Sequence, residues 1–194
     1  FILTRSGYAG VQRYSAVWTG DNQSRWDHLA LCVQQCQSMG LAGVPFVGSD
    51  IGGFNDRCTG ELYLRWLQFG TVMPLARAHY NSHESAGQTQ EPWSFGPTIL
   101  DHARTALRWR YRLLPYIYAA FLTASETGAP VQRPLVFDFQ DDPLVRDVDV
   151  FWVGGGSTAN LLAVWRLHGL DALLRTAHEQ GAVLAGVSAG MNCW

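Results

Sequence analysis

Short apolar stretches alternate with longer helical patterns over the first part of the chain, and polar side chains cluster directly after each apolar stretch. Repeated strand–loop–helix units of this kind are typical of a parallel α/β fold. In a (β/α)8 barrel, the residues that carry function lie at the carboxyl ends of the strands. The elements predicted here are strands at 1–4, 14–19, 43–48 and 72–76 and helices at about 25–39 and 60–70.

The pattern in the middle of the chain predicts a polar loop, followed by a long helix and a further strand. Residues 80–97 are rich in turn formers, and an apolar helical pattern runs from about 99 to 127. Pro115 is expected to interrupt or bend this helix, and Gly128 to end it. The predicted strand 131–139 leads into another domain. We therefore divide the chain into 1–130, 131–150 and 151–194.

Composition excludes several classes of function. Hydrophobic residues make up 47% and charged residues 15% of the 194 residues, so the chain can bury a core. The formal net charge of −2 gives no electrostatic reason to expect nucleic acid or an anionic membrane as a partner. No signal peptide or membrane span is visible. The chain begins at Phe1 inside a predicted strand, so we expect a preceding segment to be missing, which leaves export open.

The four cysteines predict neither a metal site nor a disulfide framework. Cys32 and Cys36 lie four residues apart on one face of a predicted helix, and Cys58 and Cys193 stand apart from them. Structural zinc sites usually need two such pairs, or one pair with nearby histidines. We therefore expect buried thiols in a reducing compartment, favouring the cytoplasm, and no cofactor.

Seven motifs together carry a family resemblance. They are RSGYAG at 5–10, WTGD at 18–21, GVP at 43–45, GSDIGGF at 48–54, PLARAH at 74–79, EPW at 91–93 and LRWRY at 107–111. In combination they resemble glycoside hydrolase family 31, the α-glucosidase and α-xylosidase family, over about residues 1–150. The resemblance implies the C-terminal part of a (β/α)8 catalytic barrel that acts on oligosaccharides with terminal α-linked glucose or xylose.

Asp21 is the candidate general acid/base. Retaining glycosidases need a nucleophilic carboxylate and a carboxylic acid about 5 Å apart, and the acid keeps its proton best in a partly apolar site. Asp21 follows a predicted strand close to Trp18, which fits that requirement. From the residues alone, a helix N-cap is the favoured alternative. The resemblance assigns Asp21 the acid/base role.

Other polar and aromatic residues at the strand ends form the candidate sugar pocket. The resemblance implies that Asp50 binds sugar hydroxyls, with Phe54 close to it; the alternative for Asp50 is an ordinary turn aspartate. Two residues that lie two positions apart on a strand end point the same way. The resemblance places this pair and two further residues in the pocket that holds the cleaved sugar: Arg77, His79, Arg5 and Trp18.

One departure from the family pattern limits the expected activity. The family nucleophile is an aspartate on an earlier strand, and no carboxylate of this chain matches its motif. About half of the barrel strands are also absent, which leaves open sheet edges. We therefore expect the isolated chain to be inactive.

Residues 151–194 resemble a second family, the S51 serine peptidases of the aspartyl dipeptidase and cyanophycinase type. A glycine-rich stretch at 154–158 and a Gly-x-Ser-x-Gly turn at 186–190 carry the resemblance. It implies a fragment of a Rossmann-like, class I glutamine amidotransferase-like α/β domain. Ser188 is the implied nucleophile on a strand-to-helix elbow. The oxyanion-hole candidates are Gly155, Gly156 and Ala189.

Two features weigh against peptidase activity in this segment. The glycine stretch also suits phosphate binding at a helix N-terminus. The catalytic triad needs a histidine base, which in this family follows the serine, whereas His168 and His178 precede it on helical patterns. Three functional readings therefore stand: a glycosidase fragment, a serine peptidase fragment, and a non-catalytic chimeric fragment.

Overall fold

A computed structural model of the chain provides the structure. It describes residues 1–83, 89–139, 141–142, 150–153, 158–167, 169–186 and 188–193. The side chains of residues 150, 152, 160 and 188–190 are not described.

Three short strands form a parallel sheet in the first part of the chain. They are β1 (Leu3–Thr4), β2 (Ala16–Trp18) and β3 (Val47–Gly48), and the sheet order is β1-β2-β3. Val17 of β2 pairs with Val47 of β3. The parallel arrangement predicted from the sequence is confirmed, and its consequence is that the loops after β2 and β3 emerge at the same edge of the sheet.

Three helices cover this sheet. Helix α1 (Trp26–Leu41) connects β2 to β3, and α2 (Gly60–Gly70) follows β3 with the predicted bounds. Thr59 caps α2, because its hydroxyl accepts a hydrogen bond from the backbone N–H of Leu62. Helix α3 (Pro97–Thr127) starts with a proline at its first position, where no intrahelical N–H bond is lost.

The first hydrophobic core lies between the sheet and these helices. Trp66, Met73 and Cys32 are fully buried in it. The indole of Trp66 donates a hydrogen bond of 2.8 Å to the hydroxyl of Ser49, so the core supports the residue directly after β3. The buried members of this core are Cys32, Cys36, Val47, Ile51, Cys58, Leu62, Tyr63, Trp66, Leu67, Met73, Ala103 and Ala106.

A second parallel pair of strands lies near the C-terminus. Strands β4 (Val150–Val153) and β5 (Val183–Gly186) are paired in parallel, connected by α4 (Thr158–Leu167) and α5 (Leu170–Glu179). A short 3-10 helix then spans Ser188–Cys193. The second core joins these elements to the end of α1 and to the segment after α3; among its members are Leu41, Ala129, Phe137, Leu161, Trp165 and Leu174.

The predicted strand 72–76 is wrong. The segment forms no strand; it runs beside β3 with a backbone bond from Leu75 N–H to Val47 C=O, and only Arg77 makes a β-bridge, with Asp50. Pro74 has no N–H to donate to a ladder.

The predicted strand 131–139 is also wrong. A 3-10 helix occupies Leu135–Phe137 instead, directly after Pro134, which cannot donate to a strand ladder. Arg133 closes the turn by bonding the Asp138 carboxylate at 2.7 Å and the Pro130 carbonyl at 2.7 Å.

The structure differs from the prediction for the long helix at Pro115 and for the loop 80–97. Helix α3 continues through Pro115 rather than being interrupted there, and Gly128 ends it in a left-handed conformation, as predicted. The loop 80–97 contains a 3-10 helix at Pro92–Phe95.

None of the four cysteines forms a disulfide in the described part of the chain. Cys32, Cys36 and Cys58 are buried, as expected, and Cys193 is half-buried. Burial raises the pKa of Cys32 to about 11 and that of Cys36 to about 12, so both stay protonated at neutral pH.

Replacing Gly48 by Ala tests the close approach of β3 to the following segment. A Cβ at this position would lie 1.9 Å from the Leu75 carbonyl oxygen, so the backbone must shift. We expect a loss of about 3 kcal/mol or more in the free energy of unfolding, measured by urea titration.

Gly60→Ala is the matched control for this substitution. The new Cβ would meet the Ile99 and Phe95 side chains at 3.1 and 3.3 Å, and alanine favours the helix. A change within about 1 kcal/mol is expected there. Equal stability of Gly48→Ala and the unmodified chain would contradict the described packing.

Candidate active site

Three loops meet at the carboxyl ends of β2 and β3. The backbone carbonyl of Asn22 accepts hydrogen bonds from the N–H groups of Phe54 and Asn55, at 2.6 and 3.1 Å. The Phe54 carbonyl in turn accepts from Asn81 N–H at 2.7 Å. These backbone bonds join the loop after β2, the loop after β3 and the segment after Arg77 into one mouth, as the parallel pattern predicts.

Asp50 and Arg77 form the centre of this mouth. The Arg77 Nε donates to Asp50 Oδ1 at 2.6 Å, and the Asp50 side chain is fully buried while that of Arg77 is 26% exposed. The backbone fixes the same pair, because Ile51 N–H donates to the Arg77 carbonyl. Asp50 also begins a turn, because its carbonyl accepts a hydrogen bond from Gly53 N–H at 3.0 Å, but its side chain is buried in an ion pair.

Polar atoms at this centre have no hydrogen-bond partner. Asp50 Oδ2, Arg77 Nη2 and Trp18 Nε1 are buried and unpaired. The Arg77 guanidinium also lies 4.8 Å from the centre of the Trp18 ring. Buried polar atoms are nearly always hydrogen-bonded, so these three atoms keep the capacity to bond a water molecule or a polar ligand.

The protonation of Asp50 reflects its burial. Desolvation raises the pKa of its carboxyl, while the hydrogen bond and charge of Arg77 and the charge of His79 lower it; the charge of Asp21 adds a smaller upward contribution. The net shift is upward. Asp50 is therefore a carboxyl whose ionisation depends on Arg77 staying in place.

Asp21 lies after β2, as predicted, but its surroundings differ from the prediction. Its Oδ2 lies 3.0 Å from Arg5 Nη2, and the Asp21 side chain is 30% exposed. An arginine therefore faces Asp21, which the expectation of a partly apolar setting beside Trp18 did not include. The structure brings Arg5 and Asp21 together, a pairing that the sequence did not reveal.

Phe54 and His79 form a stacked pair at the rim of the mouth. Their ring centres are 5.2 Å apart with an interplanar angle of 30°. Trp18 adds a further aromatic ring, which lies against Arg77. The predicted residues Arg5, Trp18, Asp21, Asp50, Phe54, Arg77 and His79 all lie at this mouth.

Sequence reasoning missed Gln90. It lies in the stretch predicted as a polar loop, yet it is 1% exposed, and its Nε2 donates to the Gly53 carbonyl at 3.2 Å. Gly52 has φ +93°, and a Cβ there would lie 2.2 Å from Gln90 Oε1. Gln90 therefore supports the glycine turn after Asp50, and only the pair of glycines gave a signal for this close packing.

The second candidate constellation falls mostly outside the described residues. Gly155 and Gly156 are not described, and neither are the side chains of Ser188 and Ala189. The backbone shows β5 ending at Gly186 and a 3-10 helix starting at Ser188. The His178 ring is exposed, and its Nδ1 lies 3.1 Å from the Ala182 carbonyl.

Among the described residues, no group of three or more His, Cys, Asp or Glu residues is placed to hold a metal ion. In the same part of the chain, no helix is long and apolar enough to cross a membrane.

Parallel strands with connecting helices and a polar mouth at their carboxyl ends are typical of a segment of an α/β barrel. The model of the glycosyl hydrolases family 31 TIM-barrel domain matches residues 1–120, and the chain belongs to that family. A model of peptidase family S51 matches residues 137–194.

Relatives found by sequence include α-glucosidases. Alpha-glucosidase 2 of Bacillus thermoamyloliquefaciens is 46% identical over 156 residues, covering 79% of this chain and 19% of its own. Neutral alpha-glucosidase AB of Sus scrofa is 39% identical over 175 residues, covering 90% of this chain and 18% of its own. The chain thus spans about a fifth of these relatives, and the second alignment extends into the residues that the S51 model matches.

Solved structures show the same likeness. The family 31 alpha-glucosidase of Bacteroides thetaiotaomicron has a TM-score of 0.67 and 46% identity over 73% of this chain and 23% of its own. The Tris-bound glucosidase II alpha subunit has a TM-score of 0.68 and 39% identity over 72% of this chain and 15% of its own.

The raised pKa of Asp50 predicts a pH dependence of stability. Below the ordinary value of 3.8, the carboxyl is protonated in both the folded and the unfolded chain. As the pH rises above 3.8, the unfolded chain ionises first, so the folded state loses stability relative to Asp50→Asn. Urea titrations of both proteins from about pH 3 to 7 measure this difference.

Asp27→Asn is the control for this measurement. Desolvation, the largest single contribution, raises the pKa of Asp27, but the hydrogen bond and charge of Arg25, a backbone hydrogen bond and the charge of His28 together lower it. The control should therefore show the opposite trend, with the unmodified chain gaining stability relative to Asp27→Asn as the pH rises. If the stability of the unmodified chain rose with pH relative to Asp50→Asn, the upward shift of the Asp50 pKa would be contradicted.

Proposed function

We propose that this chain carries the sugar-binding and acid/base part of the catalytic site of a retaining α-glucosidase. The substrates are oligosaccharides with terminal α-linked glucose or xylose. The single observation that carries the proposal is the set of unpaired buried atoms on Asp50, Arg77 and Trp18. Membership in family 31 and the α-glucosidase relatives support the reaction class.

The geometry suits a sugar ring better than an apolar ligand. Beyond the bonded atoms, Asp50 has a second oxygen that can accept and Arg77 a second nitrogen that can donate, and sugar hydroxyl groups can do both. Charged partners make the stronger hydrogen bonds in a desolvated site. Trp18 and the Phe54–His79 pair offer flat surfaces for the faces of the ring.

Asp21 is proposed as the general acid/base. It follows the strand neighbouring Asp50, so it lies at the rim of the same mouth. Its ion-pair partner Arg5 lies at the same rim, with a side chain that is 60% exposed.

The second carboxylate of a retaining site is proposed to come from outside this chain. Covalent catalysis needs a nucleophile about 5 Å from the acid, and the family resemblance places it on an earlier barrel strand. We therefore propose that the chain by itself binds sugar without hydrolysing it. Without a nucleophile, the loss of rate spans many orders of magnitude.

A graft into a complete barrel tests the role of Asp21. Residues 1–120 of this chain would replace the corresponding segment of the Bacteroides thetaiotaomicron enzyme. In the graft, Asp21→Ala should lower turnover of substrates with poor leaving groups by about 10²–10⁴-fold. Azide should restore turnover of an activated aryl glucoside and yield a glucosyl azide.

The control in the graft is Asp27→Ala. Asp27 is an exposed aspartate that pairs with Arg25 on the surface, and its loss should leave turnover unchanged. Full activity of the Asp21→Ala graft toward poor leaving groups would show that another residue is the acid.

A serine peptidase function is the second candidate, and the S51 match to residues 137–194 favours it. The strand β5 followed directly by a helix at Ser188 has the order that a nucleophile elbow requires. For this candidate, we also propose that residues 151–194 are a fragment of a Rossmann-like, class I glutamine amidotransferase-like domain. We propose that Ser188 is nevertheless inert, because a serine hydroxyl needs an adjacent base.

Labelling with a fluorophosphonate probe tests the inertness of Ser188. Peptide mapping after exposure to the probe should show no stoichiometric modification of this serine. Fast labelling that disappears in Ser188→Ala would show that a base is present, and would place the peptidase function ahead of the glycosidase one.

A further inference from the structure

Arg110 on α3 reaches across to the end of α2. Its Nη1 donates to the carbonyls of Gly70, Thr71 and Met73 at 3.0, 3.2 and 2.7 Å, and its Nη2 donates to Pro74 at 3.2 Å. The guanidinium is half-buried, and its charge is balanced there by carbonyl dipoles.

Arg110 provides hydrogen-bond donors for backbone carbonyls that would otherwise lack a partner. The last carbonyls of a helix have no partner within the helix, and Gly70 is the last residue of α2. The segment after α2 forms no strand, so its carbonyls have no ladder to join. Burial lowers the pKa of Arg110, but a guanidinium still keeps its proton in a protein and offers five donors in a fixed fork.

The segment held by Arg110 leads directly to Arg77. Three residues after Pro74, the Arg77 carbonyl accepts from Ile51 N–H at 2.9 Å. Between them, Leu75 N–H donates to Val47 at 3.0 Å. The path of this segment is therefore set by β3 on one side and by the Arg110 guanidinium on the other.

We propose that Arg110 is a positioning residue of the candidate site. It fixes the segment 70–74 so that the Arg77 guanidinium meets Asp50 and the face of Trp18. It lies behind the mouth and acts through Arg77, without touching the sugar. Its effect on sugar affinity rests on the proposed function, whereas its effect on the placement of Arg77 does not.

The first experiment measures local structure in the full chain by NMR. Arg110→Gln should speed amide hydrogen exchange at Ile51 and Leu75 by about ten- to a hundredfold, because hydrogen bonds to a charged group are lost next to them. The Arg77 Nε–H resonance should shift as well. The amide of Val17, which bonds Phe46 across β2 and β3, should keep its exchange rate and serve as the internal reference.

Two further variants complete this experiment. Arg110→Lys keeps the charge but reaches fewer carbonyls, so it should give an intermediate exchange rate and covers the case that the Gln variant does not fold. Arg108→Gln removes an exposed arginine two residues earlier on α3 and should change neither signal. Equal acceleration at Ile51 and Val17, or an unmoved Arg77 resonance in both Arg110 variants, would overturn the proposal.

The second experiment titrates the same proteins with glucose. Weaker binding by Arg110→Gln and Arg110→Lys than by Arg108→Gln would support a positioning role in sugar recognition. Equal affinity in all three variants would overturn that role. If the unmodified chain bound no glucose, the proposed function would fail, and the exchange rates and the Arg77 resonance would still decide the placement role.

Discussion

The buried ion pair between Asp50 and Arg77 is the interaction on which the candidate site depends. A carboxylate taken out of water is costly unless a partner compensates it, and removing one partner of such a pair typically costs about 3–5 kcal/mol. The chain therefore holds both residues from several directions. Asp50 follows β3, and the Arg77 backbone is bonded to Ile51. The desolvation that raises the pKa of Asp50 is the same property that makes an unpaired oxygen there a strong acceptor for a ligand.

Other residues around the mouth hold this ion pair in place. Gln90 supports the glycine turn after Asp50. On the other side of Asp50, Trp66 holds Ser49 by a hydrogen bond from its indole N–H. Each support comes from a different helix or loop, so the ion pair joins parts of the chain that are distant in sequence. A site built in this way is preorganised for a polar ligand, because the cost of placing the charges is met during folding.

The sequence predicted those features that depend on local pattern. Helix α2 was predicted with its observed bounds, and the parallel strands placed the polar residues after them at one edge. It failed where distant side chains take over backbone hydrogen bonds. The segment 72–76 is apolar like a strand, but Pro74 has no N–H to donate. The carbonyls of Met73 and Pro74 accept hydrogen bonds from Arg110, which lies over thirty residues away in the sequence. Likewise, nothing in the local pattern around Asp21 indicated that Arg5 would face it.

The central claim is that the unpaired atoms of this pair and of Trp18 bind sugar hydroxyls. A titration of the labelled chain with glucose, followed through the indole N–H of Trp18 and the Nε–H of Arg77, tests it most directly. We predict saturable shifts of both signals, and no shift of the exposed Trp93 indole, with the glucose left intact. Unchanged Trp18 and Arg77 signals at saturating glucose, or equal shifts of Trp93, would contradict the account.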